Sequence, residues 1–307
     1  MKILITGGAG NIASSLAKKL AELDYQVVIA DNLLTGSISK IPKNKNTVFI
    51  NADVNNLDDM SSIFQTNHFD YVFHYAAIVG VERTLANPIS VLNDIKGIEN
   101  ILTLCRDHNI KRVFYSSSSE VYGEPFEIPQ HEVTTPLNSR LPYAIVKNVG
   151  EAYFRSFQHE FGLDYTIFRF FNTYGPNQSE DFVIPRFIRA ALKGADITIY
   201  GDGRQTRTFC YIDDNVDACI TAFQDEVYIN DVINIGSDIE ISILDLANKI
   251  RELVGSKSKI IHLSPLKEGD MTRRCPDISK MKLLLKRELI TLKEGILLLI
   301  NHMNKDI

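Results

Sequence analysis

The first 120 residues alternate short apolar runs with longer amphipathic segments, and no other feature of the sequence constrains the fold as strongly. Five runs are apolar nearly throughout and rich in β-branched residues, which predicts buried strands. They are Met1–Thr6, Gln26–Asp31, Thr47–Asn51, Asp70–His74 and Lys111–Ser117. Strands of this kind are typical of a parallel sheet that helices cover on both faces.

The segments between these strands have the apolar spacing of helices, and they are Ile12–Leu23, Leu57–Thr66 and Pro88–Asp107. A repeated strand–helix–strand order predicts right-handed crossovers and a doubly wound α/β sheet. A long helix at Tyr143–Phe161 precedes a sixth strand at Asp164–Phe170, and Asp231–Ile235 has the pattern of a seventh.

The sequence pattern changes after Asn172, where residues such as Gly175, Pro176 and Gly201 separate shorter predicted elements. Frequent glycine and proline of this kind predict a smaller lobe that is interleaved with the first. The helices predicted in this part are Phe182–Lys193, Asp213–Gln224, Ser242–Val254 and Thr291–Met303.

The composition argues against several classes of protein. The 33 basic and 38 acidic side chains among 307 residues give a net charge of −5, which is unsuited to coating nucleic acid or a membrane surface. No apolar run approaches the length of a membrane span. The four cysteines form no CxxC pair and the seven histidines have no metal-ligand spacing, so we expect no metal and no disulfide framework. We expect a cytoplasmic protein.

A glycine-rich turn, TGGAGNIA at positions 6–13, directly follows the first strand and opens the first helix. Glycines at Gly7 and Gly10 allow a tight turn and let backbone N–H groups approach a pyrophosphate at the helix N-terminus. The third small position is Ala13, where glycine is more usual. Together with the alternation of elements, the turn predicts a Rossmann-type doubly wound parallel sheet that binds a dinucleotide.

Asp31 ends the second strand, 21 residues after Gly10. A carboxylate there accepts hydrogen bonds from the adenosine ribose and repels a 2′-phosphate. No Lys or Arg follows before Lys40, so we expect no cation for that phosphate and predict NAD as the cofactor. The predicted cofactor site consists of Gly7, Gly10, Asn11, Ile12, Asp31, Asn32, Asp53, Val54, Ala76, Ala77, Ser116, Tyr143 and Lys147.

Tyr143 and Lys147 are four residues apart on a predicted helix, which places both side chains on one face. A tyrosine with a pKa near 10 is a poor base at neutral pH. An ammonium about 4 Å away contributes about 4 kcal/mol at an effective dielectric near 20, or roughly three pKa units. We therefore expect the pKa of Tyr143 to lie near 7, with a hydroxyl from the Ser116–Ser119 strand end orienting the substrate.

These motifs resemble the extended short-chain dehydrogenase/reductases, in particular the NAD-dependent nucleotide-sugar epimerase/dehydratase family that includes UDP-glucose 4-epimerase-like enzymes. The resemblance covers nearly the whole chain. It rests on TGGAGNIA, Asp31, HYAA at 74–77, SSSSEVYG at 116–123, YAIVK at 143–147, RFFNTYGP at 169–176 and YGDGRQTRTFCYIDD at 200–214. The family implies a tightly held NAD that oxidises a sugar hydroxyl and is regenerated in the same cycle.

The resemblance also implies roles for individual residues. Ser118, Tyr143 and Lys147 match the catalytic triad, with Tyr143 as the acid and base. The implied substrate-binding residues are Ser118, Ser119, Asn172, Tyr200, Arg207, Lys267, Asp270 and Arg274. Arg207 matches a diphosphate-binding arginine. Lys267 and Asp270 stand where the epimerases have an RxGD segment, so the cation differs, and Asp94 stands where relatives usually have asparagine.

The family further implies a division of the chain and an assembly. We expect an NAD-binding domain at residues 1–172, to which 208–238 return. Residues 173–207 and 239–307 are then expected to form a smaller, interleaved C-terminal substrate lobe that binds a nucleotide sugar, most commonly a UDP-sugar. The apolar stripes of Pro88–Asp107 and Tyr143–Phe161 are expected to pair in the four-helix interface of a homodimer.

The outcome of the reaction depends on Glu120, because all reactions of the family begin with oxidation at C4. A 4-epimerase needs no further base, whereas a dehydratase or uronate decarboxylase has a use for a carboxylate beside the ketone. We predict a UDP-hexose 4-epimerase from the FCYIDDNVDA segment at 209–218. A UDP-glucuronate decarboxylase and a 4,6-dehydratase, with Glu120 as base, remain alternatives. An NAD-binding regulator without turnover is the alternative from another class.

Overall fold

The computed structural model describes residues 1–265 and 273–304. Its strands, numbered in chain order, are β1 Lys2–Thr6, β2 Gln26–Asp31, β3 Thr47–Asn51, β4 Tyr71–His74, β5 Arg112–Ser118, β6 Tyr165–Phe170, β7 Thr173–Tyr174, β8 Ile197–Tyr200, β9 Thr206–Thr208, β10 Cys210–Tyr211, β11 Asp231–Ile235, β12 Glu240–Ser242 and β13 Ile260–Leu263. The helices are α1 Asn11–Glu22, α2 Leu57–Thr66, α3 Val81–Ala86, α4 Pro88–Leu92, α5 Asp94–Asp107, α6 Pro142–Phe161, α7 Val183–Leu192, α8 Ile212–Gln224, α9 Ile243–Val254, α10 Ser279–Leu285 and α11 Leu292–Met303.

Seven parallel strands form the central sheet in the order β11-β6-β5-β4-β1-β2-β3. Ile5 of β1 is in register with Ile29 of β2 and with Phe73 of β4. Because β1 is an interior strand from which the chain winds outward first to one edge and then to the other, this is the predicted doubly wound sheet of Rossmann type. The carboxyl ends of the strands meet at one edge, where a ligand crevice is expected.

Side chains of the central strands alternate between two apolar layers. Leu4 belongs to a core in which α2, α5 and α6 cover one face of the sheet. Ile3 and Ile5 belong to a larger core on the other face, which includes α1 and α8 and continues into the C-terminal elements. The strands are buried on both faces, and this burial explains why they lack polar alternation.

The C-terminal part of the chain adds three small sheets. β8 pairs in parallel with β13, β9 pairs antiparallel with β12, and β7 pairs with β10. Between these elements the chain returns to the central sheet, because α8 packs against α1 and β11 pairs with β6. No helix in the two described ranges is long and apolar enough to cross a membrane.

Some elements differ from the prediction. The helix expected at Pro88–Asp107 is divided at Asn93, where Lys96 N donates to Asn93 O over three residues and tightens the turn. The helix α10 was not expected. Two short 3₁₀ helices, Ile38–Lys40 and Ser119–Tyr122, were also not expected, and both contribute to the site described below.

Candidate active site

A cavity of about 550 Å³ lies at the carboxyl edge of the central sheet, where strand ends and helix N-termini converge. It runs from the turn after β1 to the N-terminal part of α6 and continues to the loop that follows β6. All residues predicted to bind the cofactor line this cavity: Gly7, Gly10, Asn11, Ile12, Asp31, Asn32, Asp53, Val54, Ala76, Ala77, Ser116, Tyr143 and Lys147. The residues that the sequence pattern groups together therefore share one cavity.

The glycine turn fits a pyrophosphate. Gly7 has a φ of 68°, and a Cβ atom there would lie 2.6 Å from the Cα atom of Ala76, so only glycine suits this position. Gly10 N donates to Gly7 O at 2.9 Å, and α1 begins at the next residue. Among the described residues Asn11 Oδ1 is buried without a hydrogen-bond partner. A tight backbone, a helix N-terminus and an orphaned polar atom together fit a dinucleotide.

Backbone amides fix the Asp31 carboxylate at the adenosine end. Asp31 Oδ2 accepts a hydrogen bond from Ala9 N at 2.9 Å, and Oδ1 accepts one from Leu33 N at 2.7 Å. The expectation that no cation lies near Asp31 is wrong, because the 3₁₀ helix Ile38–Lys40 folds Lys40 back to line the same end of the cavity. Burial lowers the pKa of Lys40, and the charge of Asp31 partly opposes that shift.

Lys147 is buried at the reacting end and is held by the end of β5. Its Nζ atom donates to Ser116 O at 2.6 Å and lies 5.0 Å from the ring centroid of Tyr115. Burial lowers the pKa of Lys147 to about 8, and the carboxylate of Asp94 opposes this change. Asp94 Oδ2 in turn accepts a hydrogen bond from Ile78 N at 2.8 Å. Sequence reasoning offers no physical account of an aspartate at position 94, and its effect on the pKa of Lys147 supplies one.

Tyr143 faces the cavity beside Ser118, whose hydroxyl is hydrogen bonded to the phenol and lowers the pKa of Tyr143. Burial outweighs this effect and raises the pKa of Tyr143 above its ordinary value. The prediction that the pKa of Tyr143 lies near 7 is therefore wrong: the protein's own residues hold it above its ordinary value. The physical reason is that the Lys147 ammonium points at the Ser116 carbonyl and lies 5.8 Å from the Tyr143 ring centroid.

A carboxylate and a guanidinium face each other at the same end of the cavity. Arg274 Nη1 lies 2.9 Å from Glu120 Oε1 and donates to Ser119 Oγ at 3.3 Å. Glu120 lies in the 3₁₀ helix that begins at Ser119, and its backbone N donates to Ser118 Oγ at 3.2 Å. Glu120 raises the pKa of Tyr143 and Arg274 lowers it, so both charges lie close to the phenol. Glu120 thus faces the site rather than solvent.

The predicted substrate-binding residues are only partly brought together. Ser118, Ser119, Asn172 and Arg274 line the cavity. Arg207 and Tyr200 are not among the lining residues: Arg207 Nη1 donates to Thr206 O at 2.7 Å, and the Tyr200 ring centroid lies 5.6 Å from the guanidinium carbon of Arg186. Lys267 and Asp270 lie outside the described residues.

Sequence reasoning missed several residues that line the cavity beyond the strand end of β6. They are Thr173, Gln178, Phe182, Val183 and Phe209. Phe182 directly precedes α7 and Val183 begins it; the helix itself was expected, but not its place at the cavity. The available signal was an apolar pair that follows the polar, glycine- and proline-containing segment after β7, since ligand pockets are lined mostly by apolar side chains.

The fold and the site together define a dinucleotide-dependent oxidoreductase of the short-chain type, because a glycine turn, an acidic strand end and a Ser–Tyr–Lys group share one crevice. The family model described as NAD dependent epimerase/dehydratase family matches residues 3–236. The chain belongs to this family of NAD-dependent enzymes that act on nucleotide sugars.

Known members that are similar to the chain have different activities. A putative UDP-glucose 4-epimerase of Methanocaldococcus jannaschii is 37% identical and covers 99% of both chains. A UDP-N-acetyl-α-D-glucosaminuronate decarboxylase of Bacillus cytotoxicus is 38% identical over 92% of this chain and 90% of its own. The structure of a Thermotoga maritima UDP-glucose 4-epimerase with UDP-glucose superposes with a TM-score of 0.94 at 32% identity, covering 100% of this chain and 99% of that one.

Proposed function

We propose that this enzyme oxidises a UDP-linked sugar at C4, with Tyr143 accepting the proton of the C4 hydroxyl. Ser118 lies within hydrogen-bond reach of the Tyr143 phenol and orients that hydroxyl, while Lys147 holds the ribose side of the site. When bound, NAD⁺ supplies the hydride acceptor and a positive charge beside Tyr143. Because burial raises the pKa of Tyr143, the phenol must first release its own proton to solvent before it can accept that of the sugar hydroxyl, and a cationic cofactor nearby would favour this release.

The step after oxidation that the geometry supports best is the loss of CO₂ from a UDP-uronate. The Glu120–Arg274 ion pair, 2.9 Å between Oε1 and Nη1 beside Tyr143, is the observation that carries this proposal. A guanidinium in a buried site is well suited to bind the C6 carboxylate of a uronate. A UDP-hexose has a neutral hydroxymethyl group at C6, which needs neither charge.

The chemistry of this step follows from the ketone at C4. With C4 oxidised, the C5–C6 bond breaks, its electron pair moves towards the C4 oxygen, CO₂ leaves, and C5 takes a proton from solvent. The hydride removed in the first step then returns to C4 and reduces the ketone. Glu120 places a second negative charge near the substrate carboxylate, which disfavours the bound anion relative to neutral CO₂. Arg274 would thus select the substrate, and Glu120 would promote its breakdown.

A UDP-hexose 4-epimerase, as predicted from the sequence, is the second candidate. It needs only Ser118, Tyr143 and Lys147, and the similarity to a UDP-glucose 4-epimerase at 32% identity favours it. In this case the 4-keto sugar rotates within the site, and the C4 ketone is reduced on its other face. A 4,6-dehydratase and a regulator without turnover are outcomes that the experiment below would reveal.

The test is to incubate the NAD-loaded enzyme in D₂O with UDP-glucose, UDP-N-acetylglucosamine or UDP-glucuronate and to identify the products by NMR. The proposal predicts CO₂ release from the uronate and a pentose that carries deuterium at C5. An exchange of axial and equatorial C4 configuration without deuterium would establish the epimerase. A 4-keto-6-deoxy product would establish the dehydratase, and unchanged sugars would favour the regulator.

We also propose the lobes expected from the sequence, with residues 1–172 and 208–238 holding NAD and residues 173–207 and 239–307 holding the nucleotide sugar. The return of α8 and β11 to the central sheet supports this division. A cytoplasmic location is supported by four buried cysteines that are all free thiols.

A homodimer through a four-helix bundle is the final part of the proposal. Ile89 and Leu92 on α4 and Ile145 on α6 are 71%, 36% and 37% exposed, which supports an apolar interface on this side of the molecule. Sedimentation equilibrium should give twice the chain mass of 34.6 kDa. A mass equal to one chain at micromolar concentration would contradict the dimer.

A further inference from the structure

The helix that carries the proposed acid and base also carries a buried carboxylate. Glu151 follows Tyr143 by eight residues and Lys147 by four, so the three side chains lie on one side of α6. Glu151 is fully buried. Its Oε1 atom accepts hydrogen bonds from Ser117 Oγ at 2.6 Å and from Arg169 Nε at 2.8 Å. Its Oε2 atom accepts one from Arg169 Nη2 at 2.7 Å.

Arg169 extends these contacts to the segment that bears Glu120. Arg169 is 1% exposed, and its Nη1 atom donates to the Tyr122 hydroxyl at 2.8 Å. Tyr122 ends the 3₁₀ helix that contains Glu120, and its hydroxyl donates to Asn234 Oδ1 at 2.7 Å. We refer to Ser117, Glu151, Arg169 and Tyr122 as the buried polar cluster.

The stability of the fold does not by itself explain why the buried polar cluster is charged. Removing two charges from water costs several kcal/mol, and apolar side chains of similar volume give a buried site at least as much stability. The cluster nevertheless keeps its charges, because Arg169 and Ser117 outweigh desolvation and lower the pKa of Glu151. Apolar contacts tolerate sliding, whereas two parallel hydrogen bonds to one carboxylate fix distance and direction.

The position of Ser117 on β5 indicates that the cluster fixes the placement of α6 relative to β5. Its neighbours on β5 are the two residues that contact the acid–base pair: Ser116 O accepts from Lys147 Nζ, and Ser118 is hydrogen bonded to Tyr143. A shift of α6 by one residue along its axis is 1.5 Å, and a displacement of about 1 Å in an active site can lower the rate about a hundredfold.

We propose that the buried polar cluster is a positioning device that sets the height of α6 against β5, so that Tyr143 meets Ser118 and Lys147 meets Ser116. Through Tyr122, the same device holds the 3₁₀ helix of Glu120 against β6. None of its members touches the cavity contents as a reacting group; Ser117 lines the cavity wall and acts through Glu151. As a role in catalysis, this inference rests on the proposed function.

The first test compares Ser117→Ala with Arg155→Met, both as NAD-loaded enzymes. Ser117→Ala removes the contact between β5 and Glu151 and leaves no buried charge unpaired. Arg155 donates to the same carboxylate at 2.9 Å, but its side chain is 45% exposed and it lies outside the cluster. We expect kcat to fall about tenfold or more in Ser117→Ala, with KM and bound NAD unchanged, and to change less than twofold in Arg155→Met.

A second readout does not depend on turnover. Enzyme labelled with ¹³C at the tyrosine Cζ atoms gives a resonance for Tyr143 that is assigned by its loss in Tyr143→Phe. We expect the chemical shift of this resonance to change in Ser117→Ala, because the contact between the Tyr143 phenol and Ser118 is altered. The chemical shift should not change in Arg155→Met. If the wild-type enzyme turns over no UDP-sugar, the proposed function fails, while this measurement still decides whether the cluster positions Tyr143.

The inference is overturned if Ser117→Ala keeps both the wild-type kcat and the wild-type Tyr143 resonance. It is also overturned if the apparent kcat and the bound NAD per chain fall together, in proportion to the loss of folded protein, since that result indicates stability alone. Should Ser117→Ala not fold, Tyr122→Phe removes one hydroxyl at nearly constant volume. It is expected to lower kcat by a smaller factor, because Glu151 keeps its two bonds to Arg169.

Discussion

The end of the cavity predicted to hold adenosine, the adenosine end, is built from residues 7–77, whereas the reacting end joins side chains from more widely separated parts of the chain. At the adenosine end, backbone amides hold Asp31, and a glycine makes the close approach to the backbone of Ala76. At the reacting end, Ser118 ends β5, Tyr143 lies on α6, and Arg274 lies in a loop. Backbone geometry therefore specifies the first end, and the packing of side chains specifies the second.

The largest effect is expected from a change that affects only the reacting end. Tyr143→Phe removes the group that exchanges the C4 proton and keeps the ring, so we expect kcat to fall by about 10³-fold. Bound NAD, measured by absorbance after release, should remain at the wild-type level. Loss of bound NAD together with activity would mean that the two ends are not separable.

The opposite change affects the adenosine end. Gly7→Ala puts a Cβ atom 2.6 Å from Ala76 Cα at a φ of 68°, so we expect NAD affinity to fall at least about tenfold, measured by calorimetric titration of the apoenzyme. The matched control is Gly194→Ala, where φ is 65° but no atom lies within 4 Å of the added Cβ. The control should lose a little stability and keep its NAD affinity. Equal losses in both variants would argue against a specific approach at Gly7.

Within the reacting end, Glu120→Gln separates binding from chemistry. Removing a negative charge beside Arg274 should tighten binding of a uronate and slow its decarboxylation, so we expect both KM and kcat to fall, each by about tenfold. Steady-state kinetics with UDP-glucuronate provide the measurement. A UDP-hexose 4-epimerase would instead turn over UDP-glucose, with little change in kcat and KM in this variant, and that result would favour the second candidate.

The smallest effect is expected where the two ends meet. Asp94 raises the pKa of both Lys147 and Tyr143, so Asp94→Asn should lower both pKa values. Because the phenol must lose its proton to act as a base, the acid limb of the kcat/KM profile should move to lower pH. Rates measured from pH 5 to 10 test this. A limb that stays in place or moves to higher pH would show that Asp94 does not act on the acid–base pair.

Much of the fold was predictable because most of its central strands are buried on both faces. Gln26–Asp31 and Asp231–Ile235 have the predicted bounds and are buried over most of their length. Thr47–Asn51 also has the predicted bounds, although it is the partly exposed edge strand. Several residues that we predict to hold the cofactor, such as Gly7, Asn32 and Ala76, line the cavity because they follow closely after such runs.

What the sequence did not predict depends on three-dimensional neighbours. The return of Lys40 to Asp31 requires a 3₁₀ turn that no apolar pattern announces. The pKa of Tyr143 depends on burial and on the direction in which Lys147 points, and helical spacing determines neither. The ion pair of Glu120 with Arg274 joins residues 154 positions apart, so only the folded chain shows it.

The most direct test of the central claim, that the sugar is oxidised and reduced again at C4, uses a UDP-sugar with deuterium at C4. UDP-[4-²H]glucuronate and UDP-[4-²H]glucose are converted separately by the NAD-loaded enzyme in H₂O, and the product is examined by NMR. Our account predicts that the deuterium stays at C4 of the product, because it leaves and returns within one active site. A product in which C4 has exchanged its deuterium for solvent hydrogen would contradict it.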